Sequence, residues 1–318
     1  MVETLFTNYD EFAEEIRKEL SERTGQDVIV SSIMKNNDVV LKGLTIRGDS
    51  NISPTIYLEK YYERYSDETM TFEEICDDIM DVNEEHKCPN LDFDIEDYTS
   101  WDKIKDRIKM RLVNRDRNAE YLKQLVHMIY GDLAIIFAVE LEANPFGVCG
   151  SIKIRNEHAE MWDKTVGDLY EVAKNNMDEI VVTSIFDVIS EMQALSGDEF
   201  ADITPPEGAP IMYIATNPDK NCGAAAMLNE EVLKNFASEH GSFYIIPSSI
   251  HEVIFLALNG CSQDSDEISA MIQGINCEIV NPDEVLGDHA YYYDADTDTL
   301  YSEYGGDEML IEAVASAA

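Results

Sequence analysis

The sequence has few basic residues and lacks the common nucleotide-binding motifs. Acidic residues outnumber basic ones by 64 to 23, which gives a formal net charge of −41 at pH 7. A protein that binds a phosphate backbone needs a surplus of lysine and arginine, so this composition argues against binding to nucleic acids and to anionic membranes. Neither G-x-G-x-x-G nor G-x-x-x-x-G-K-[ST] occurs. We therefore expect no nucleotide cofactor, and no motif indicates another one.

Long hydrophobic runs are also missing. The longest, Leu133–Val139 and Val253–Leu258, are far shorter than the ~18 residues that a membrane span requires. The first residues are acidic where a secretory signal would be basic and then apolar. We therefore expect a soluble protein that stays in the cytoplasm.

The cysteines form no C-x-x-C pair. They are Cys76, Cys88, Cys149, Cys222, Cys261 and Cys277. In a cytoplasmic protein without this spacing, cysteines are typically reduced and packed as small apolar side chains. His86 and Cys88, with Cys76 upstream, match no common zinc module, so we predict no metal site.

With 318 residues and 45% hydrophobic residues, the chain can bury a sizeable core. Helical and strand patterns alternate irregularly, which predicts an α+β fold with mixed or antiparallel sheets, hairpins and packed helices in two lobes. Residues 1–90 are the expected N-terminal lobe and residues 102–318 the expected C-terminal one, and the alternative is that both form one compact unit. Helices are predicted at Tyr9–Arg23, capped by Asn8, and at Phe72–Glu85, where Thr71 and Glu74 form a capping box.

The chain has one basic cluster, in which seven of the 23 bases lie between positions 103 and 117. Arg107, Lys109 and Arg111 alternate with apolar residues, which predicts a strand with a cationic face. This face is a candidate anion-binding site. The alternative, which we favour, is that neighbouring carboxylates neutralise these bases.

Ser248, Ser249, His251 and Glu252 suggest a hydrolase site, in which His251 would activate one of the serines. The glycines of a G-x-S-x-G nucleophile turn are absent, and the second histidine of a zinc-binding H-E-x-x-H helix is replaced by Phe255. Ser249 and Glu252 also satisfy the capping-box pattern S-x-x-E, which indicates either the start of a helix or a turn. We favour this structural interpretation.

Several short motifs occur together along the chain. They are Lys35-Asn-Asn, Ser53-Pro-Thr-Ile-Tyr-Leu58, Arg111-Leu-Val-Asn114, Asp132-Leu-Ala134, Ile154-Arg-Asn-Glu-His158 with Trp162, and Pro247-Ser-Ser-Ile-His-Glu-Val253. This combination resembles a family of Firmicutes proteins known as domain of unknown function 5688, and the similarity extends from about Asn8 to Tyr304. The second half is more distantly similar to another uncharacterised bacillary family. The resemblance implies a bacterial cytoplasmic protein and a single family unit, and no catalytic residue follows from it.

Three functions from different classes are compatible with the sequence. The first is an interaction or regulatory protein without catalysis, whose partner could be a basic protein. The second is a hydrolase with a site near Ser248, Ser249 and His251. The third is an acidic decoy that mimics nucleic acid, for which carboxylates should lie in regularly spaced rows.

Overall fold

The structure, a computed structural model, has an α+β architecture. It describes residues 6, 8–48, 53–86, 95–141, 150–196, 209–260 and 264–314. These residues cluster into two compact units: the second contains residues 36–38, 96–141 and 151–314, and the first contains the remainder. The strands form three antiparallel sheets, and helices are interspersed among them. The predicted α+β class is therefore confirmed.

The first unit combines helices with a three-stranded sheet of order β1-β2-β3. Its elements are α1 (Tyr9–Thr24), β1 (Asp27–Met34), β2 (Val40–Arg47), β3 (Ile56–Tyr57), α2 (Glu59–Ser66) and α3 (Phe72–Glu85). Phe12, Ile16 and Leu20 lie on one face of α1, and this spacing buries them against Ile75 and Ile79 of α3 in the core of the unit.

The helix ends of the first unit follow local sequence rules. Asn8 caps α1, because its side-chain oxygen accepts from the backbone N–H of Glu11 at 2.9 Å. Gly25 ends α1 with a φ of 67°, a conformation that favours glycine. Thr71 and Glu74 form both hydrogen bonds of a capping box at α3. Both predicted helices are confirmed.

The second unit contains the remaining elements. They are α4 (Ile95–Thr99), α5 (Trp101–Ile104), β4 (Ile108–Asn114), β5 (His127–Tyr130), β6 (Leu133–Leu141), β7 (Gly150–Lys153), α6 (Asn156–Trp162), α7 (Val166–Asn175), β8 (Val181–Ser184), α8 (Ile185–Ser196), β9 (Ile211–Thr216), α9 (Glu230–His240), β10 (Phe243–Ile246), β11 (Val253–Ala257), α10 (Ser265–Glu278), β12 (Tyr291–Asp294), β13 (Thr299–Tyr301) and β14 (Ile311–Ala313).

Two sheets organise the second unit. One has six strands in the order β13-β12-β10-β11-β9-β8, and the other has the order β14-β5-β6-β4 with β7 also paired to β6. Successive residues of β10 point to opposite faces of the six-stranded sheet. Phe243 therefore packs edge-to-face against Phe236 of α9, whereas Tyr244 packs in a cluster with Ile268 and Ile272 of α10. The strand β10, at the centre of this sheet, is therefore buried on both faces.

Asn36–Asp38, which connect β1 to β2, belong to the second unit. Asn37 and Asp38 have φ values of 60° and 52°, a region that asparagine and aspartate tolerate better than most residues. The Asn37 backbone N–H donates to Asn118 Oδ1 at 2.8 Å, and Asn118 Nδ2 donates back to Asn37 Oδ1 at 3.0 Å. Because Asn118 is fully buried, these reciprocal bonds satisfy polar groups that would otherwise be costly to bury.

Candidate functional site

The segment Pro247–Glu252 is the loop between β10 and β11 and contains no helix. Ser249 Oγ accepts from the backbone N–H of His251 at 3.0 Å, and the Ser249 N–H donates to the carbonyl oxygen of Glu252 at 3.2 Å. No helix begins at Ser249, and both polar groups of Ser249 close a turn, which is one of the two forms of the structural interpretation. The residues that follow form β11, which pairs with β9 on one side and β10 on the other.

The ring of His251 accepts a hydrogen bond from a backbone group and lies near a carboxylate. Its Nδ1 accepts from the Cys222 backbone N–H at 3.2 Å, and its Nε2 lies 3.6 Å from Glu284 Oε1. Among the described residues, no hydrogen bond joins the hydroxyl of Ser248 or Ser249 to this ring. The geometry thus gives no support to activation of a serine by His251.

The backbone around His251 is closely packed. The carbonyl oxygen of His251 accepts from the Gly223 N–H at 2.9 Å and from Thr216 Oγ1 at 2.8 Å. A Cβ atom at Gly223 would lie 2.2 Å from Thr216 Oγ1, 2.7 Å from the Asn217 nitrogen and 2.8 Å from the His251 oxygen. Only glycine fits at position 223, because two of these three atoms belong to the backbone and cannot turn away.

The predicted cationic strand face is shorter than expected. Lys109 and Arg111 lie in β4, but Arg107 lies in a 3-10 turn, Lys105–Arg107, that precedes the strand. The turn forms because the N–H of Ile108 bonds back to the Lys105 carbonyl oxygen, so Arg107 is outside the strand pairing. The interpretation of Arg107, Lys109 and Arg111 as an anion site stays a prediction.

Carboxylates of the second unit neutralise most of the basic cluster. The ion pairs are Lys103–Asp97, Lys105–Asp102, Lys109–Asp178, Arg115–Asp116 and Arg117–Asp288. Lys109 is the least exposed of these bases, and its Nζ also donates to the Asn176 carbonyl oxygen at 2.5 Å. The cavity beside Lys109 and Asp178 has a volume of about 20 Å³, which is room for a water molecule and not for a larger anion.

A second histidine, which the sequence did not indicate, belongs to a polar cluster in the second unit. Asp132 lies in the turn between β5 and β6. Its carboxylate accepts from the hydroxyl of Tyr291, with 3.1 Å to each oxygen, and from His289 Nε2, also at 3.1 Å. The hydrogen bond to Asp132 raises the pKa of His289 above its ordinary value, and burial opposes this effect.

The cluster lies beside a cleft of about 390 Å³. Besides Asp132 and His289, the cleft is lined by the charged side chains of Arg115, Asp307, Glu308 and Glu312. Arg115 is held in place, because its guanidinium donates to the Gly131 carbonyl oxygen at 2.7 Å and to Asp116 at 2.8 Å. Among the described residues, no group of three or more His, Cys, Asp or Glu side chains is arranged to hold a metal ion.

Comparisons with known proteins identify a family but no characterised relative. Neither the curated proteins nor the solved structures contain a match to this chain. Residues 9–295 match a family described as "Family of unknown function (DUF5688)". The match covers most of the chain, including α1, α3, the loop with His251 and the cluster around Asp132. The resemblance seen in the sequence motifs is confirmed, and the chain belongs to this family of unknown function.

Proposed function

We propose that this protein is a binding protein without catalytic activity and that its partner is a basic protein. The observation that carries the proposal is the excess of acid. Because the chain has 64 acidic and 23 basic residues, the acids exceed the bases by 41, and most carboxylates have no base of their own in the chain. Several of the bases are already engaged in ion pairs with acids of the second unit. A surface of this kind attracts cationic partners and increases their rate of association.

The exposed face of α3 supports the proposal with a regular arrangement. Glu73, Asp77, Asp81 and Glu85 are exposed and follow one another at intervals of four residues. An α-helix rises 1.5 Å per residue, so neighbours in this row are displaced by ~6 Å along the helix axis. Asp77 forms an ion pair with Arg23. The other three have no ion pair in the described part of the chain.

The proposal is tested with hen lysozyme and poly-L-lysine as cationic probes, whose binding is measured by fluorescence anisotropy at low and at physiological salt. The variant Glu73→Gln/Asp81→Asn/Glu85→Gln removes the unpaired charges of the α3 row. A matched control, Glu14→Gln/Glu15→Gln/Glu19→Gln, removes three carboxylates that form ion pairs on α1.

We expect the α3 variant to bind at least tenfold more weakly than the parent, and the α1 control to bind within threefold of it. The reason is that both variants lose three negative charges, but only the α3 variant loses the regular row of exposed carboxylates. Equal weakening in both variants would show that net charge alone attracts the probes, and the proposal of a specific acidic surface would fail.

The second candidate is a nucleic-acid mimic, which the regular row on α3 favours over an evenly charged surface. A mimic must compete with nucleic acid, whereas an ordinary binding protein need not. We expect a mimic to release a basic DNA-binding protein from duplex DNA, with a potency that falls in the α3 variant. For either candidate we propose the bacterial cytoplasm, in a Firmicutes host, as the setting.

A further inference from the structure

Both ring nitrogens of His289 face oxygen atoms. Nε2 lies 3.1 Å from Asp132 Oδ2, and Nδ1 lies 3.4 Å from the carbonyl oxygen of Ala290. Carbonyl and carboxylate oxygens only accept hydrogen bonds. A neutral imidazole has a single N–H, so it would direct a lone pair at one of the two oxygens. The surroundings of His289 therefore fit the doubly protonated, positively charged ring.

The charged groups around His289 favour the same state. Asp132 and Glu303 both stabilise its positive charge, and the neighbouring Asp288 forms an ion pair with Arg117. The cleft adds the carboxylates of Asp307, Glu308 and Glu312. The opposing positive group on the cleft wall is Arg115, whose guanidinium is engaged with Asp116 and the Gly131 carbonyl oxygen. Tyr291, which is fully buried, donates its hydroxyl hydrogen to Asp132 and contributes no charge.

The cluster joins the two sheets of the second unit. Asp132 belongs to the turn between β5 and β6 of one sheet, whereas Tyr291 opens β12 of the other. The chain then continues through β13 and returns as β14, which pairs with β5 next to the same turn. The segment 289–313 is thus fixed at its beginning by Asp132 and at its end by β14, and residues between these points line the cleft.

We propose that His289 and Asp132 form a pH-sensitive clasp, which holds the segment 289–313 against the β5–β6 hairpin when His289 is charged and loosens the segment and the cleft when it is neutral. The direction follows from linkage. A histidine whose pKa is raised on folding stabilises the fold fully below the unfolded value of about 6.5. This stabilisation is lost as the pH rises through the higher folded pKa. The clasp is therefore closed in acid and opens toward alkaline pH.

Two measurements on the parent protein test the clasp directly. In an NMR titration, we expect the ring of His289 to lose its proton at a pH clearly above 6.5, with both ring nitrogens protonated below that point. In hydrogen–deuterium exchange, we expect the protection factors of residues 311–313 to fall at least fivefold between pH 6.5 and pH 9. A His289 that titrates at or below 6.5 would overturn the proposal.

Two variants test whether His289 causes the pH dependence of exchange in residues 311–313. His289→Gln can still donate one hydrogen bond to Asp132 but carries no charge, so the protection factors of residues 311–313 at pH 6.5 should be as low as those of the parent at pH 9. His240→Gln, on α9, is the control and should keep the parent's pH dependence. If His289→Gln also keeps that dependence, another group is responsible and the clasp is excluded. If His289→Gln does not fold, the NMR titration of His289 in the parent protein still tests the proposal.

Discussion

His251 and His289 both lie in loops that border the six-stranded sheet, and both have a carboxylate near Nε2. They differ in what faces Nδ1. At His251 this atom accepts a backbone N–H from Cys222, so a donor faces it. At His289 the same atom faces a carbonyl oxygen, which favours a proton. The comparison teaches that the state of a histidine depends on the donor or acceptor opposite each nitrogen, and the adjacent sequence motif does not determine it.

The largest effect is expected at the His251 loop. Gly223→Ala introduces a Cβ within 2.8 Å of the His251 carbonyl oxygen and closer still to Thr216 Oγ1. We expect the free energy of unfolding to fall by about 3 kcal/mol, because the surrounding backbone must move. Urea denaturation followed by circular dichroism measures this change.

Gly274→Ala is the matched control for that substitution. Gly274 lies inside α10, where an added Cβ meets no atom within 4 Å. Alanine is the better helix former, so this variant should gain about 0.5–1 kcal/mol of stability. Equal stability of the two variants would contradict the close packing described at Gly223.

A smaller effect is expected at the His289 cluster. Tyr291→Phe removes a buried hydroxyl that donates to Asp132, and a hydrogen bond to a charged group contributes about 2 kcal/mol. Tyr293→Phe is the control, because its hydroxyl lies 3.3 Å from the more exposed Asp298 and should contribute about 0.5 kcal/mol or less. Thermal unfolding of both variants at pH 6.5 distinguishes them. Equal losses would indicate that the Asp132 cluster does not stabilise the second unit beyond ordinary surface contacts.

The smallest effect is expected for the serines of the His251 loop. Ser249→Ala removes the hydrogen bond to the His251 N–H and should cost about 1 kcal/mol, whereas Ser248→Ala should change stability by less than about 0.5 kcal/mol. We expect the parent to hydrolyse none of a broad set of esters and peptides. Turnover that disappears in a stably folded Ser248→Ala, Ser249→Ala or His251→Gln variant would establish the hydrolase and disprove the non-catalytic proposal.

Capping boxes show how far local patterns determine this fold. Thr71 and Glu74 form the predicted box at α3, but the same pattern at Ser249 and Glu252 forms a turn. The residues after Glu74 place apolar side chains on one helical face, whereas Val253–Ala257 is a continuous apolar run that two strands can bury between them. A local motif is therefore reliable only where the following residues have the matching periodicity.

The polar cluster in the second unit could not be predicted from local patterns. Asp132 and His289 are separated by 157 residues and come together only when two sheets have formed. Asp132 was visible as part of the family motif Asp132-Leu-Ala134, but nothing near His289 marked it as a partner. By contrast, the apolar run Leu133–Val139 is evident in the sequence and forms the buried part of β6, because a strand that is buried on both faces needs apolar residues at successive positions.

The position of β14 in the chain has a consequence for biosynthesis. Its partner β5 is complete by Tyr130 and the β5–β6 hairpin by Leu141, but β14 begins only at Ile311, 170 residues later. A ribosome adds roughly 5–20 residues per second, so the outer edge of β5 waits roughly 10–30 seconds for its last strand. During this interval the edge can pair with other nascent chains, which makes this hairpin the place where premature aggregation would begin.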